Sequence, residues 1–283
     1  MSSYKPRRKL SSRIWDALFY VVLVILGFSI LMPIIWTFFT SLKAKSAIFA
    51  SSPQWWGFVF KNNYYRPFMQ EGYFKLMGNS ILTAVGCIIV SIPIAFIAAY
   101  AFSRYKVFGA PTMFFWMLTC RMGPEAVFII PYYLIITRIG LYDNTLSLII
   151  LFSLFNVPFA IWLMKSGIDG IPTAMDEAAL VDGASISYVL RRIILPLATP
   201  TIAAAAIMVF LFSWNEYLLA SVLTGSSART ITVGMAAFIT TTGIRWGEMA
   251  AVTMTSLIPT IITVAILQRY IISGLTMGAV KGN

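Results

Sequence analysis

The sequence predicts an all-α, polytopic membrane protein with six transmembrane helices, kinked spans and one cytoplasmic elbow. Three observations carry that expectation. Of the 283 residues, 59% are hydrophobic and only 11% charged, at a mean hydropathy of +0.83, whereas a soluble domain carries about a quarter charged residues. Charge-free apolar runs long enough to cross hydrocarbon, which takes about 20 residues, recur along the chain. Between the runs at 144–164 and 193–215 comes one long charged interruption, Gly167 to Pro200, whose Asp169, Asp176, Glu177, Asp182, Arg191 and Arg192 are far less costly in water than in hydrocarbon.

The runs, in order, are 17–42, 76–103, 144–164, 193–215 and 249–268. A sixth segment, about 110–136, is apolar apart from Arg121 and Glu125. An even number of spans places both termini on one side. Lys5, Arg7, Arg8, Lys9 and Arg13 crowd the first thirteen residues and read as a cytoplasmic anchor facing anionic lipid. Lys/Arg in the other predicted inner segments (Arg104, Lys106, Lys165, Arg191, Arg192, Arg269 and Lys281) bring that side to twelve. The outer segments hold eight: Lys43, Lys45, Lys61, Arg66, Lys75, Arg138, Arg229 and Arg245. Five of those eight sit in one longer loop near 43–75, where charge constrains topology less. Trp15, Trp36, Trp55 and Trp56 fall near expected interfaces. The first apolar run is too long for a signal peptide, and no small-residue cleavage site follows it.

The net charge of +11 does not point to nucleic acid, because it is concentrated beside a membrane span. Cys87 and Cys120 both lie in apolar segments and suggest neither a disulfide framework nor a zinc site. Histidine is absent, which removes the commonest general base and metal ligand. No G-x-x-x-x-G-K-[ST] phosphate loop is present. An enzyme reading therefore lacks residues.

Each span contains or borders a proline: Pro33, Pro93, Pro124 with Pro131, Pro158, Pro200 and Pro259. Such residues kink a membrane helix where neighbours or water satisfy the freed carbonyl. The third span is the most irregular, and interrupted spans are where transporters often place a substrate path. There Arg121 and Glu125, four apart, share a helical face and could pair, with Phe128 and Tyr132 continuing that face. A purely structural ion pair is the competing reading. In the fourth span Asn156 precedes Pro158 and could bond either a polyol or an adjacent helix. In the fifth, Phe210, Trp214 and Tyr217 share a face able to stack on a sugar ring, with Asn215 and Glu216 as polar groups. Aromatic spacing alone is equally a packing signature.

Within the elbow the punctuation describes two short helices meeting at a glycine. Thr173 is a candidate N-cap, with acid at Asp176 and Glu177 in the first turn. Gly183 can take the left-handed conformation that ends the first helix. Ser185 can cap a second, which Pro196 limits.

The same stretch carries a family resemblance. Glu177, Ala178, Ala179, Gly183, Ile193, Leu195 and Pro196 reproduce EAA-x3-G-x9-I-x-LP at every fixed position. That motif resembles the one in membrane subunits of binding-protein-dependent ABC importers, where the elbow is the coupling helix. The resemblance assigns ATPase coupling to those seven residues and Asp182. Residues 121–144 are similar to the family's third span and following loop, and Phe212–Ala220 to the WNE-type segment of carbohydrate permeases. The latter places Arg121, Glu125, Asn156, Trp214, Asn215, Glu216 and Tyr217 beside a sugar path. The polar loop from Leu223 to Glu248, with Thr240, Thr241, Thr242 and Gly243, resembles the loop that enters the sugar-binding protein in maltose-type relatives. Gly278, Ala279, Val280 and Lys281 match their C-terminal tail, which can contact the ATPase dimer.

The resemblance thus implies the permease subunit of a sugar importer in a bacterial or archaeal cytoplasmic membrane. A basic tail would occupy 1–14, a transmembrane domain 15–273 with its elbow at 167–197, and a cytoplasmic tail 274–283. Its partners would be a second, non-identical permease subunit, two ATPase subunits that bind ATP and Mg, an extracytoplasmic solute-binding protein, a carbohydrate substrate and membrane lipid. No cofactor, metal or nucleic acid is expected on this chain. The alternative is an ion-gradient-driven secondary transporter with Glu216 and the Arg121–Glu125 pair as a relay. Six spans without an internal repeat, and the large elbow, weigh against it.

Overall fold

The computed structural model describes residues 10–52, 60–123 and 125–279. Five of its helices are long and apolar enough to cross a bilayer: α1 (Leu10–Leu42), α4 (Tyr73–Arg104), α7 (Thr145–Asp169), the helical path Ile186–Asn215, and α13 (Trp246–Ala279). The third predicted span is not one helix. It divides into α5 (Ala110–Met122), a 3-10 turn at Glu125–Phe128 and α6 (Ile129–Arg138). Gly123 ends α5 in an extended conformation, φ −65° and ψ 147°, and Pro124 lies outside the described residues. This is a correction to the sequence reading, since an apolar run alone does not register a break in backbone direction.

Small residues decide how the central helices meet. Ala84, Cys87, Ser91, Ala95 and Ala99 recur every three or four positions on α4, and all are fully buried. They let α4 approach α7 and α10 (Leu195–Asn215) closely, the usual source of helix association where lipid removes any hydrophobic advantage. At Gly167 on α7 a Cβ would stand 2.5 Å from Thr201 Oγ1 on α10. The core then fills with Leu148, Leu151, Phe152, Ile161, Met164, Val209 and Leu219. By contrast α1 exposes Phe19, Val24, Phe28 and Ile30, as a lipid-facing helix would. Trp15 and Trp36 are also exposed; Trp55 and Trp56 lie outside the described residues.

One end of the bundle is closed by short elements: α2 (Lys45–Ile48), α3 (Phe60–Tyr65) with a π-turn at Arg66–Gln70, α11 (Leu218–Leu223) and α12 (Ile231–Ala236). The expected polar loop is also ordered at its tip. Strands Ile239–Thr240 and Gly243–Ile244 pair antiparallel, Thr240 opposite Gly243. Gly243 takes φ +118° there, relieving Thr241 and Thr242 of any left-handed conformation. Tyr73 donates to Gly234 O at 2.8 Å and stacks on Phe238 with ring centroids 5.0 Å apart. Arg245 bonds Glu71 at 2.7 Å and contacts Glu248, while Arg66 reaches Glu71 at 3.0 Å.

The opposite end carries the elbow: α8 (Ala174–Val181) and α9 (Ile186–Val189), running through a π-turn at Leu190–Ile194 into α10. Pro196 does not stop this path. It sits in the first turn of α10, and the wider preceding turn accommodates the missing N–H and the ring. The described helices α1 and α13 respectively begin and finish at this same end, with Gly278 and Ala279 in the last turn of α13. Val280 and Lys281 lie outside the described residues.

Candidate functional site

Two places bring together residues singled out by the sequence. The first is the elbow. Gly183 adopts φ +84°. Gly183 N donates to Leu180 O at 3.0 Å and Ala184 N to Ala179 O at 2.9 Å, the paired bonds of a Schellman stop. Ser185 Oγ then accepts from Tyr188 N at 3.3 Å, starting α9 as expected. Thr173 does not act as a side-chain cap, which corrects the sequence reading. Its backbone is already helical (φ −63°, ψ −28°), and its carbonyl accepts from Asp176 N and Glu177 N.

The elbow's outer surface is apolar with acidic edges. Val181 is 87% exposed, and Met175, Leu180, Ile186 and Tyr188 are exposed beside it. Glu177, Ala178, Asp182 and Gly183 face solvent, whereas Ala179 is half-buried. A shallow groove runs between the two short helices, lined by Ala179, Asp182, Gly183, Ala184, Ser185 and Tyr188. Of the remaining motif positions Ile193 is half-buried and Leu195 and Pro196 are exposed.

Beneath this surface lies a contact that sequence reasoning missed. Arg104, the last residue of α4, places Nε 2.6 Å from Asp176 Oδ2. Its two other nitrogens donate to Ile171 O at 3.0 Å and Ile168 O at 3.4 Å. Those carbonyls lie in the last turn of α7, where Ile168 O also accepts from Ile171 N, and in the link after it. Both charged side chains are buried, 8% and 5% exposed, and Asp176 Oδ1 has no hydrogen-bond partner among the described residues.

The second place is a small niche between the 3-10 turn, α7 and the end of α10. Glu125, Asn156, Ser213 and Glu216 line it together with Phe152, Phe155, Phe212 and Leu219. Its volume is about 20 Å³, room for one water or one hydroxyl group. Asn156 Nδ2 donates to Ser213 Oγ at 2.9 Å, and its buried Oδ1 has no partner among the described residues. Glu216 Oε1 accepts from Leu219 N at 2.8 Å, fixing the start of α11. The structure therefore brings Glu125, Asn156 and Glu216 together, although they are up to 91 residues apart in sequence.

The other residues expected on this path fall elsewhere. Trp214 is 4% exposed and stacks on Phe210 at 5.5 Å, within a core cluster that includes Phe68, Tyr73 and Val252. Tyr217 is 46% exposed. The shared aromatic face of Phe210, Trp214 and Tyr217 does not form, because α10 ends at Asn215 and Glu216 is extended. Asn215 turns back to bond Leu211 O at 2.8 Å. Nor do positions 121 and 125 stand on one helical face, since Gly123 interrupts the register between them. The side chain of Arg121 lies outside the described residues.

At the far end Asp143 organises the loop that leads to the hairpin. Its carboxylate accepts from the backbone N–H of Gly225, Ser226, Ser227 and Ala228 at 2.9–3.1 Å. Burial alone would raise its pKa, but these four donors outweigh it and hold the carboxyl at about 2. The residue takes φ +54°, a conformation that aspartate tolerates better than most. Thr240, Thr241, Thr242 and Gly243 are all exposed at the hairpin tip.

Comparison with known proteins bears on the chain as a whole. Residues 91–276 match the family described as binding-protein-dependent transport system inner membrane component. The inner membrane ABC transporter permease protein YcjP of Escherichia coli (strain K12) is 33% identical over 271 residues, covering 93% of this chain and 96% of that one. The trehalose transport system permease protein SugB of Mycobacterium tuberculosis is 33% identical across 92% of this chain and 95% of its own. In fold, the chain is similar to a bacterial ABC transporter involved in import of the acidic polysaccharide alginate. That structure has a TM-score of 0.75 at 24% identity, with 94% of this chain and 99% of that chain covered.

Proposed function

Because this chain belongs to the family of binding-protein-dependent transport system inner membrane components, we propose that it forms one half of the sugar path of an ATP-driven importer. The chain is a multi-pass membrane permease subunit, and ATP hydrolysis belongs to a separate ATPase subunit. An extracytoplasmic binding protein and ATPases are its partners. The finer arrangement proposed is a second, non-identical permease subunit, two ATPases that hold ATP and Mg, and both termini of this chain in the cytoplasm. Relatives named for trehalose and for diacetylchitobiose uptake suggest a small sugar, of the disaccharide class, as substrate.

The observation that carries this reading is the elbow. A capped two-helix unit presents exposed Val181, Leu180 and Tyr188 beside Glu177 and Asp182 at one polar end of a membrane bundle, where no lipid would cover it. That surface suits a groove on a water-soluble partner, and its motif residues are those through which the family couples to its ATPase. ATP-driven closure can reposition the bundle only if the partner's affinity differs between the two arrangements. On the path side, the carboxyl groups of Glu125 and Glu216 line the niche beside Asn156, a pair suited to accepting hydrogen bonds from a sugar hydroxyl. The exposed Thr240–Gly243 tip is the proposed contact with the binding protein, and Gly278 to Lys281 the proposed contact with the ATPases. The ion-gradient reading finds no support.

Purification of the membrane assembly through a tag on this chain tests the proposal. An ATPase and a binding protein should co-purify, and the solute on that binding protein should be a sugar. Uptake in vesicles should survive an uncoupler and stop without ATP. Assemblies that never contain an ATPase, or uptake abolished by the uncoupler alone, would end it.

A further inference from the structure

We propose that Arg104 is a positioning residue that locks the elbow to α4, so that a displacement of α8 is passed to that span instead of being absorbed at the Pro172–Thr173 link. The inference rests on the importer reading and adds the route by which the elbow reaches the bundle. The geometry is specific. One guanidinium joins three segments: the carboxylate of Asp176 in the first turn of α8, Ile168 O at the end of α7, and Ile171 O in the link between α7 and α8. Its fork is rigid and always charged. Ser103 Oγ accepts another of its N–H groups at 3.1 Å, and the Tyr100 hydroxyl, one turn earlier on α4, faces the same Asp176 carboxylate.

Two features argue against a passive role. The link Gly170–Thr173 contains no regular helix, and Ala179 is the α8 side chain that packs on the apolar core, so the Arg104 clamp is the directional polar contact between α8 and α4. Burial of an ion pair that leaves Asp176 Oδ1 without a partner is also a poor way to gain stability, since well-packed apolar residues do as well or better. What the pair supplies is a fixed angle between α8 and α4. The small-residue face of α4 (Ala84, Cys87, Ser91, Ala95 and Ala99) then carries any movement into α7 and α10.

The test uses the full assembly in lipid nanodiscs, with MgATP and vanadate as the probe. Nitroxide labels are placed at Lys106 and Thr173, both exposed, in a background where Cys87 and Cys120 are serine. With Arg104 present, the distance between labels should be narrow and unchanged on vanadate trapping. In Arg104→Ala, hydrolysis should persist while the distance broadens and shifts on trapping, because α8 moves without α4. Arg104→Lys retains charge but not the fork, and should give an intermediate shift. It also decides the matter by the same readout if the alanine variant does not assemble. A purely structural role would lower assembly and leave the trapped distance of the assembled fraction unchanged. An unchanged distance in a trapped, hydrolysing Arg104 variant overturns the joint while leaving the importer reading intact. A wild-type assembly with no vanadate-trappable ATPase removes that reading, and the inference with it.

Discussion

Asn156 on α7 donates to Ser213 Oγ on α10 across 2.9 Å, with both side chains buried. This bond ties the helices at the depth where the polar niche opens, and it leaves Asn156 Oδ1 buried without a partner among the described residues. Of the two roles open to Asn156 on sequence grounds, the nitrogen takes the helix–helix one. Interhelical bonds of this kind contribute roughly 0.6–1.7 kcal/mol in membrane proteins. A double-mutant cycle on unfolding in detergent, with Asn156→Leu and Ser213→Ala, should return a coupling of that order. Strictly additive effects would mean that the pair is adjacent without interacting.

Asp143 gives a pH-dependent prediction. Its carboxyl is held at about 2, against 3.8 in an unfolded chain, so its contribution is fully present above about pH 4 and is lost as pH falls toward 2. Asp143→Asn should lower the unfolding midpoint at neutral pH, costing on the order of 1 kcal/mol because the site is partly solvated. The gap between variant and parent should close between pH 4 and pH 2. A gap independent of pH would assign the loss to shape and not to charge.

How far the chain was legible from sequence depends on the range of the interactions. Five spans follow from runs of apolar residues, and the elbow's stop and start follow from Gly183 and Ser185, because each is decided within a few residues. The broken third span was legible only in part: Pro124 and Pro131 marked it as the most irregular, but residues 110–122 and 129–136 are equally apolar on either side of Gly123, and nothing local reveals the new direction. Arg104 and Asp176 are 72 positions apart, and Asp143 meets its donors 82–85 positions away. Such pairings are set by packing of whole helices. Trp214 misled for a related reason. Its expected face assumed a helix through Tyr217, whereas α10 carries Trp214 into the core beside Phe210 and the turn at Glu216 leaves Tyr217 exposed.

That placement separates two residues that stand close together in sequence. Trp214→Ala should destabilise the whole bundle by about 3–5 kcal/mol, as deletion of a buried aromatic does, and Trp214→Phe should retain most uptake. Glu216→Gln should leave stability nearly unchanged, since the amide oxygen can still accept from Leu219 N, yet reduce uptake by the assembled complex. Thermal unfolding and vesicle uptake, measured on the same preparations, distinguish the two. A Trp214→Ala chain of normal stability but altered solute affinity would return that side chain to the path.

Gly183 offers the sharpest test of the elbow. It sits at φ +84° with nothing within 4 Å of the place a Cβ would occupy, so the demand on this position is conformational and not steric within the chain. A left-handed backbone costs an L-residue roughly 1–2 kcal/mol, least for Asn or Asp and most for β-branched side chains. If the turn alone matters, Gly183→Asn should couple to the ATPase nearly as well as the parent and Gly183→Val poorly. If the groove between α8 and α9 is a docking surface, Gly183→Asp should fail although its backbone tolerance resembles that of Asn, because it adds a charge to a contact that already holds Asp182. Membrane insertion should be unaffected in all three, since no span includes the residue. ATPase co-purification across the series reads the order directly, and equal performance of Asp and Asn would restrict the role of Gly183 to the shape of the turn.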